Sequence, residues 1–312
     1  MLQEAEDEEP DNEVLQKTED DEYSNLKSQT QAYRAVKKYG EMVYKYGGVQ
    51  TSLYTIMQNT FDYSKYYNEK TNSYCYVGTE KPNHDVVIIG WDDNYPKENF
   101  RADIESDGAF ICQNSWGTKF GDNGIFYVSY YDSNIGMHNI VYTRVDNTDN
   151  YAQIYQSDLC GWVGKLGYEK EDAWFSNVYT AEQAEFLSAA GFYATGVDTQ
   201  YEIYVCENFT DSSSLKQGLK KVASGSFVNE GYYTVDFDEM VKIEAGQKFA
   251  VVVKIKTPNE KKPVAVEYSS DYYTKTVNIT DGEGYVSADG QEWVNTESTY
   301  ACNLCLKCYT KR

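Results

Sequence analysis

The chain has 312 residues, of which 41% are hydrophobic and 25% charged; it is long enough for two domains and too apolar for wholesale disorder. Its 28 Lys and Arg stand against 49 Asp and Glu, a net charge of −21, which repels phosphate backbones and anionic lipid and disfavours nucleic-acid and membrane-surface partners. No apolar stretch reaches the ~18 residues that a spanning helix needs, and Met1 to Pro10 is acidic where a signal peptide is basic and then apolar, so the expectation is no membrane insertion and no visible signal peptide.

The first predicted element is an acidic disordered tail over residues 1–25, because residues 1–22 carry eleven carboxylates against Lys17 alone. One amphipathic helix follows from about Gln29 to Tyr46, its apolar positions Tyr33, Val36, Tyr39, Met42, Val43 and Tyr46 spaced by three and four, and Gly47-Gly48 caps it. Strand-like runs then cover Val49 to Tyr54, His84 to Trp91, Gly108 to Asn114 and Gly124 to Tyr131. A polar break, Asp146-Asn147-Thr148-Asp149-Asn150, ends a region assigned to residues 26–148.

Residues 149–312 read as strands throughout. The best runs are Glu185 to Tyr193, Tyr201 to Cys206, Tyr232 to Phe237, Lys248 to Ile255, Val264 to Tyr268 and Ala301 to Tyr309. Turns such as Thr257-Pro258-Asn259 and Asp281-Gly282 separate them. Many short strands at near-regular spacing predict an all-β sandwich or jelly roll. The 31 Tyr suit sheet packing, with ligand surfaces as their second use.

Seven Cys is an odd number for a closed disulfide framework. Cys302, Cys305 and Cys308 form Cys-x-x-Cys-x-x-Cys, but on a strand these positions alternate faces and a fourth ligand is missing, so buried core thiols are expected and no metal is assigned. Asp92-Asp93-Asn94 reads as a turn rather than a calcium loop, Cys75 as a structural or free thiol, and His138 as a loop or strand-edge residue. The other histidine, His84, opens the apolar strand Asn83-His84-Asp85-Val86-Val87-Ile88-Ile89-Gly90-Trp91. Thirty residues later stands Gln113-Asn114-Ser115-Trp116-Gly117, followed by Gly121-Asp122-Asn123-Gly124.

This pair of motifs resembles the His and Asn motifs of the papain family of cysteine peptidases over roughly His84 to Tyr131. The resemblance implies an α+β fold: the β-rich lobe of a papain-like fold, one main helix plus an antiparallel sheet, followed by the all-β domain. It further implies that His84 accepts the proton of a catalytic thiol, that Asn114 orients the imidazole, and that Trp116 shields their hydrogen bond. The family's nucleophile, a Cys-Trp-Ala-like segment at a helix start with a Gln shortly before it, has no counterpart here, since no Cys precedes Trp. Cys112 lies two residues before Asn114 on the same predicted strand, about 7 Å away on one face, and stands as a weak candidate nucleophile beside the plainer reading of a core thiol.

Gly191-Phe192-Tyr193, Tyr201-Glu202-Ile203-Tyr204, Gly231-Tyr232-Tyr233 and Ser287-Ala288-Asp289-Gly290 look like the lectin-like β-sandwich that follows the papain-type domain in many bacterial surface peptidases. Trp162, Trp174 and Trp293 suit either sugar stacking or core packing. Two functions follow from the resemblances. In the first, the chain is part of a peptidase acting on polypeptides without a cofactor, a second or upstream chain supplying the helical lobe with the Cys. In the second, it is an inactive pseudo-peptidase or truncated fragment whose sandwich binds a glycan or cell-surface ligand. Both imply an extracellular or cell-surface location.

Overall fold

A computed structural model describes residues 39–56, 64–145, 147–270, 274–280 and 283–312. The predicted acidic tail, the first part of the predicted helix and the Asp281-Gly282 turn lie outside the described residues. The chain divides between Val145 and Asp146 into two compact units.

In the first unit, residues 39–46 form helix α1, which lays Tyr39 and Val43 into the core. It ends where the sequence places its cap: Gly47 takes φ 87° and its N–H donates to Val43 O at 2.8 Å. Seven strands follow: β1 (Val49–Leu53), β2 (Tyr67–Asn68), β3 (Ser73–Tyr74), β4 (His84–Asp92), β5 (Ala109–Gln113), β6 (Ile125–Ser129) and β7 (Met137–Ile140). They make one sheet in the order β2-β3-β6-β5-β4-β1-β7, antiparallel except where β3 meets β6. On β4, Val86 and Ile88 are buried while Asp85 and Ile89 are exposed, the period-2 alternation of a half-buried strand. Val49, Leu53, Tyr74, Phe110, Cys112 and Phe126 complete that core. Beyond β6, buried Asp132 accepts the backbone N–H groups of Tyr76, Asn134 and Ile135 at 2.8 to 3.0 Å and so fixes the loop into β7. Burial pushes its carboxyl up to about 6, against those three hydrogen bonds.

The second unit contains β8 (Gln153–Tyr155), β9 (Gly164–Leu166), β10 (Asp172–Thr180), β11 (Glu185–Ala194), β12 (Thr199–Cys206), β13 (Lys220–Phe227), β14 (Gly231–Ile243), β15 (Lys248–Lys256), β16 (Val264–Glu267), β17 (Gly284–Ser287), β18 (Val294–Asn295), helix α2 (Thr296–Tyr300), β19 (Asn303–Leu304) and β20 (Leu306–Lys311). A six-stranded sheet, β13-β12-β15-β10-β17-β18, and a four-stranded one, β14-β11-β20-β8, share a core that includes Phe175, Ile203, Val251 and Val253 on one side and Leu187, Phe192, Leu306 and Cys308 on the other. A small third sheet, β19-β16-β9, closes it. The long apolar run of β15 is buried on both faces: Ala250 and Val252 pack outward beneath Phe209, Leu215 and Trp293.

Ion pairing inside this unit is unusual at one point. Asp158, with a fully buried side chain, has Lys307 Nζ 2.8 Å from its Oδ1. The same ammonium, which carries three N–H groups, also donates at 3.2 Å to the backbone carbonyl of Asp158. Burial raises the Asp158 carboxyl above the ordinary range, and Lys307 opposes that shift.

Candidate active site

Pairing of β4 with β5 sets Val87 opposite Gln113, so Asn114, one residue further on, falls beside Val86. His84 is two residues before Val86 and therefore shares its face. The two motif residues meet there: His84 Nε2 lies 3.0 Å from Asn114 Oδ1. The backbone N–H of Ser115 also points at Asn114 Oδ1, at 2.8 Å. A backbone amide can only donate, so the atom it reaches is the carboxamide oxygen, and the imidazole must donate to the same atom through Nε2–H. The lone pair of the neutral ring is then on Nδ1, the tautomer that a proton acceptor facing away from Asn114 requires.

Trp116 lies against the imidazole, ring centroids 5.1 Å apart and tilted by 39°, and meets Phe120 edge-on at 5.4 Å. Asn114 is 4% exposed, so its bond to His84 is sheltered from competing water. The glycine-rich turn behind it does the positioning. Asn114 N–H donates to Gly124 O at 2.9 Å, Gly124 N–H to Phe120 O at 2.7 Å, and Gln113 Nε2 bridges the carbonyls of Asn114 and Gly124 at 3.2 Å. Gly121 holds φ 56°, and a Cβ there would overlap the carbonyl oxygen of Ile125. Gly121→Ala is therefore expected to cost about 2–4 kcal/mol and to loosen Asn114, measurable as an early shift of Trp116 fluorescence on heating.

Cys112 sits elsewhere. It pairs with Ile88, four residues along β4 from His84, or about 13 Å along the strand, and it is wholly buried in the core. Burial first and the Asp132 charge second push its thiol well above the ordinary range. All seven cysteines are free and only Cys160 is exposed. Native chain is thus expected to take up one equivalent of iodoacetamide, at Cys160, and seven once unfolded; rapid native alkylation of Cys112, read by peptide mass, would overturn this placement.

The remaining candidates also have definite places. Cys302 and Cys308 lie in the large core of the second unit, while Cys305 is buried outside that cluster; the predicted strand Ala301 to Tyr309 is not continuous, since Ala301 caps α2 and Cys305 sits in the break between β19 and β20, which belong to different sheets. Among the described residues no three His, Cys, Asp or Glu side chains converge to hold a metal ion. Asp92 Oδ1 accepts Asn94 N–H at 2.9 Å, making the 92–94 segment a turn. Trp293 is 9% exposed and donates Nε1–H to Gly290 O, whereas Trp174 stacks on Tyr204 and Trp162 packs by Tyr193. Gln113 braces Asn114 from behind, and its place next to Asn114 is the only sequence signal of that role.

His138, read from sequence as a loop or edge residue, belongs to edge strand β7 and has φ 51°. Its Nδ1 lies 3.3 Å from Ser52 Oγ, and Ser52 Oγ–H donates to Asp85 Oδ1 at 2.6 Å. Nothing in the sequence links positions 86 residues apart.

Comparison with known proteins places both units in families. Residues 4–145 match the papain family cysteine protease family, and residues 154–310 match the lectin like domain family. The structure of the clostridial cysteine protease Cwp84 after propeptide cleavage is similar at 25% identity and TM-score 0.72, covering 87% of this chain and 67% of that one. The structure of the cysteine protease and lectin-like domains of Cwp84, a surface layer associated protein of Clostridium difficile, is similar at 24% identity and TM-score 0.70, covering 87% of this chain and 60% of that one. This chain therefore spans about two thirds of the first and less of the second. No curated protein matches it. The fold is the β-rich lobe of a papain-like fold with one main helix, followed by a β-sandwich. The chain belongs to the lectin-like domain family over its second unit and to the papain family of cysteine proteases over its first.

Proposed function

We propose that the first unit provides the base half of a cysteine-type endopeptidase: His84 takes the proton of a catalytic thiol, and Asn114 holds the imidazole for it. The observation that carries this reading is the single 3.0 Å contact between His84 Nε2 and Asn114 Oδ1, with that oxygen fixed by the Ser115 N–H. The thiol proton passes to Nδ1, the thiolate attacks the scissile carbonyl carbon, and the imidazolium returns the proton to the departing amine. The nucleophilic Cys and an oxyanion-hole Gln come from a helical lobe on a second polypeptide or a longer product. Residues 1–312 alone then hydrolyse peptides at a negligible rate, because they lack the nucleophile and the oxyanion donors that supply most of the acceleration.

Substrates are polypeptides, and the place of action is the cell surface, the setting named for Cwp84. The second unit anchors or directs the peptidase there by binding a surface glycan; exposed edges of Trp162 and Trp174 are compatible with stacking on a sugar ring. No helix among the described residues is long and apolar enough to cross a membrane.

The test is native purification from the source organism in the presence of a biotinylated epoxysuccinyl probe, which alkylates catalytic thiolates, followed by intact mass of the co-eluting species. A labelled polypeptide carrying a Cys-Trp segment, or a longer product containing this chain, is the expected result. Elution of the chain alone, unlabelled and at its encoded mass, would overturn the peptidase reading and leave the sandwich as the working part.

A further inference from the structure

An open groove of about 630 Å³ runs beside His84, lined among others by Gln50, Ser52, Asp85, Ser115 and His138. Among the described residues Asp85 is its only carboxylate, and no lysine or arginine lines it. The pairing of Ser52 with Asp85 across β1 and β4 puts both side chains on the sheet face opposite that of Val86. A serine hydroxyl has one proton. Ser52 gives it to Asp85 Oδ1 at 2.6 Å, so toward His138 Nδ1, at 3.3 Å, it can only accept. Ser52 is 4% exposed and its hydroxyl holds the carboxylate in place, while Asp85 itself is exposed. Among the described residues no Lys or Arg pairs with Asp85, although eight other ion pairs form in the second unit.

We propose that Asp85 is a specificity-determining residue, and that the groove it shares with Ser52 and His138 takes a lysine or arginine side chain of the bound polypeptide. The inference rests on the peptidase reading for the position of the scissile bond at His84. Adjacent Cα atoms are about 3.8 Å apart and an extended chain advances about 3.3–3.6 Å per residue, so the side chain that reaches Asp85 belongs to a residue within about two positions of that bond. A carboxylate already oriented by a buried hydroxyl meets an ammonium or guanidinium with little further ordering. An acidic side chain at the same place would confront the fixed negative charge, and an apolar one would find only Pro82 and Ile140 among otherwise polar lining residues. Gln50 adds to the acceptor side, its Oε1 receiving Tyr142 O–H at 3.2 Å.

The full chain, titrated with short peptide amides that differ at one position, Lys, Arg, norleucine or Glu, tests this by calorimetry and by the imidazole signals of His84 and His138. The expected result is that the Lys and Arg peptides bind roughly fivefold or more tightly than norleucine at low salt, and that Asp85→Asn brings all of them within about twofold. Asp85→Lys should reverse the order in favour of Glu. Equal binding of the four peptides by the unaltered chain, retained discrimination in Asp85→Asn, or no binding by any peptide would each overturn the proposal. Because the readout is binding, a Lys preference without thiol labelling in the native preparation sinks only the peptidase reading, and labelling without a preference sinks only this one.

Discussion

His84→Ala is expected to slow epoxysuccinyl labelling of the catalytic thiol in the native preparation by about 10²–10⁴-fold, the usual worth of a positioned general base. The probe reacts with thiolate, and a papain-type thiol is a thiolate at neutral pH only through its imidazole partner. With Ala at 84 the thiol returns toward ordinary acidity, and both the fraction ionised and the proton relay are lost. Asn114→Ala should give an intermediate rate, since the ring survives while its Nε2–H loses the oxygen 3.0 Å away that holds it. His84 is only partly buried at the end of β4, so unfolding temperature should change little in His84→Ala; that separates a chemical effect from a folding one. An unchanged labelling rate would mean that another base serves the thiol.

Lys307→Met is expected to destabilise the second unit strongly. It leaves the fully buried side chain of Asp158 without its ammonium at 2.8 Å, and removing one member of a buried pair costs about 3–5 kcal/mol. The methionine keeps most of the apolar stem. Asp158 already has a folded-state carboxyl raised by burial, so its contribution to stability is present below the unfolded value, ~4, and is lost as pH rises through the folded one. Without Lys307 the folded value rises further and that loss deepens. The variant's deficit should therefore be largest at neutral pH and shrink on acidification toward pH 4–5. Denaturant unfolding followed by the fluorescence of Trp162, Trp174 and Trp293 measures it. Adding Asp158→Asn to Lys307→Met should recover most of the loss; failure to do so would show that the lysine acts through packing alone.

Legibility in the sequence followed how local the signal was. The cap at Gly47, the alternation of β4 and the Asn114 turn are each written within about ten residues, and each stands where it was expected. Strand β10 has no clear strand pattern in the sequence although it lies between β15 and β17 in the six-stranded sheet. Its interior carries Ser176 and Asn177, both wholly buried, which break the apolar run; Asn177 Nδ2 is satisfied at 2.9 Å by Leu306 O and by Tyr179 Oη. Lys220 to Phe227, with Lys, Ser and Gly, gave no strand pattern either, because as an edge strand β13 needs only Val222 and Ala223 inside. The His84 and Asn114 pair was readable because motif spacing carries it. The relay from His138 through Ser52 to Asp85 joins three strands and exists only once the sheet has folded.

The sandwich begins and ends on neighbouring strands: β8 pairs with β20, Gln153 opposite Thr310, and Ala152 N–H bonds to Thr310 O at 2.8 Å. Both ends of the unit thus leave from the same end of one antiparallel ladder. Tension applied between them would load its hydrogen bonds one at a time, in the manner of a zip, rather than all together in shear. A unit attached in this way would yield first at Gln153–Tyr155 under a pull on both ends, and it would resist a pull between its first strand and a ligand held on the far sheet much longer.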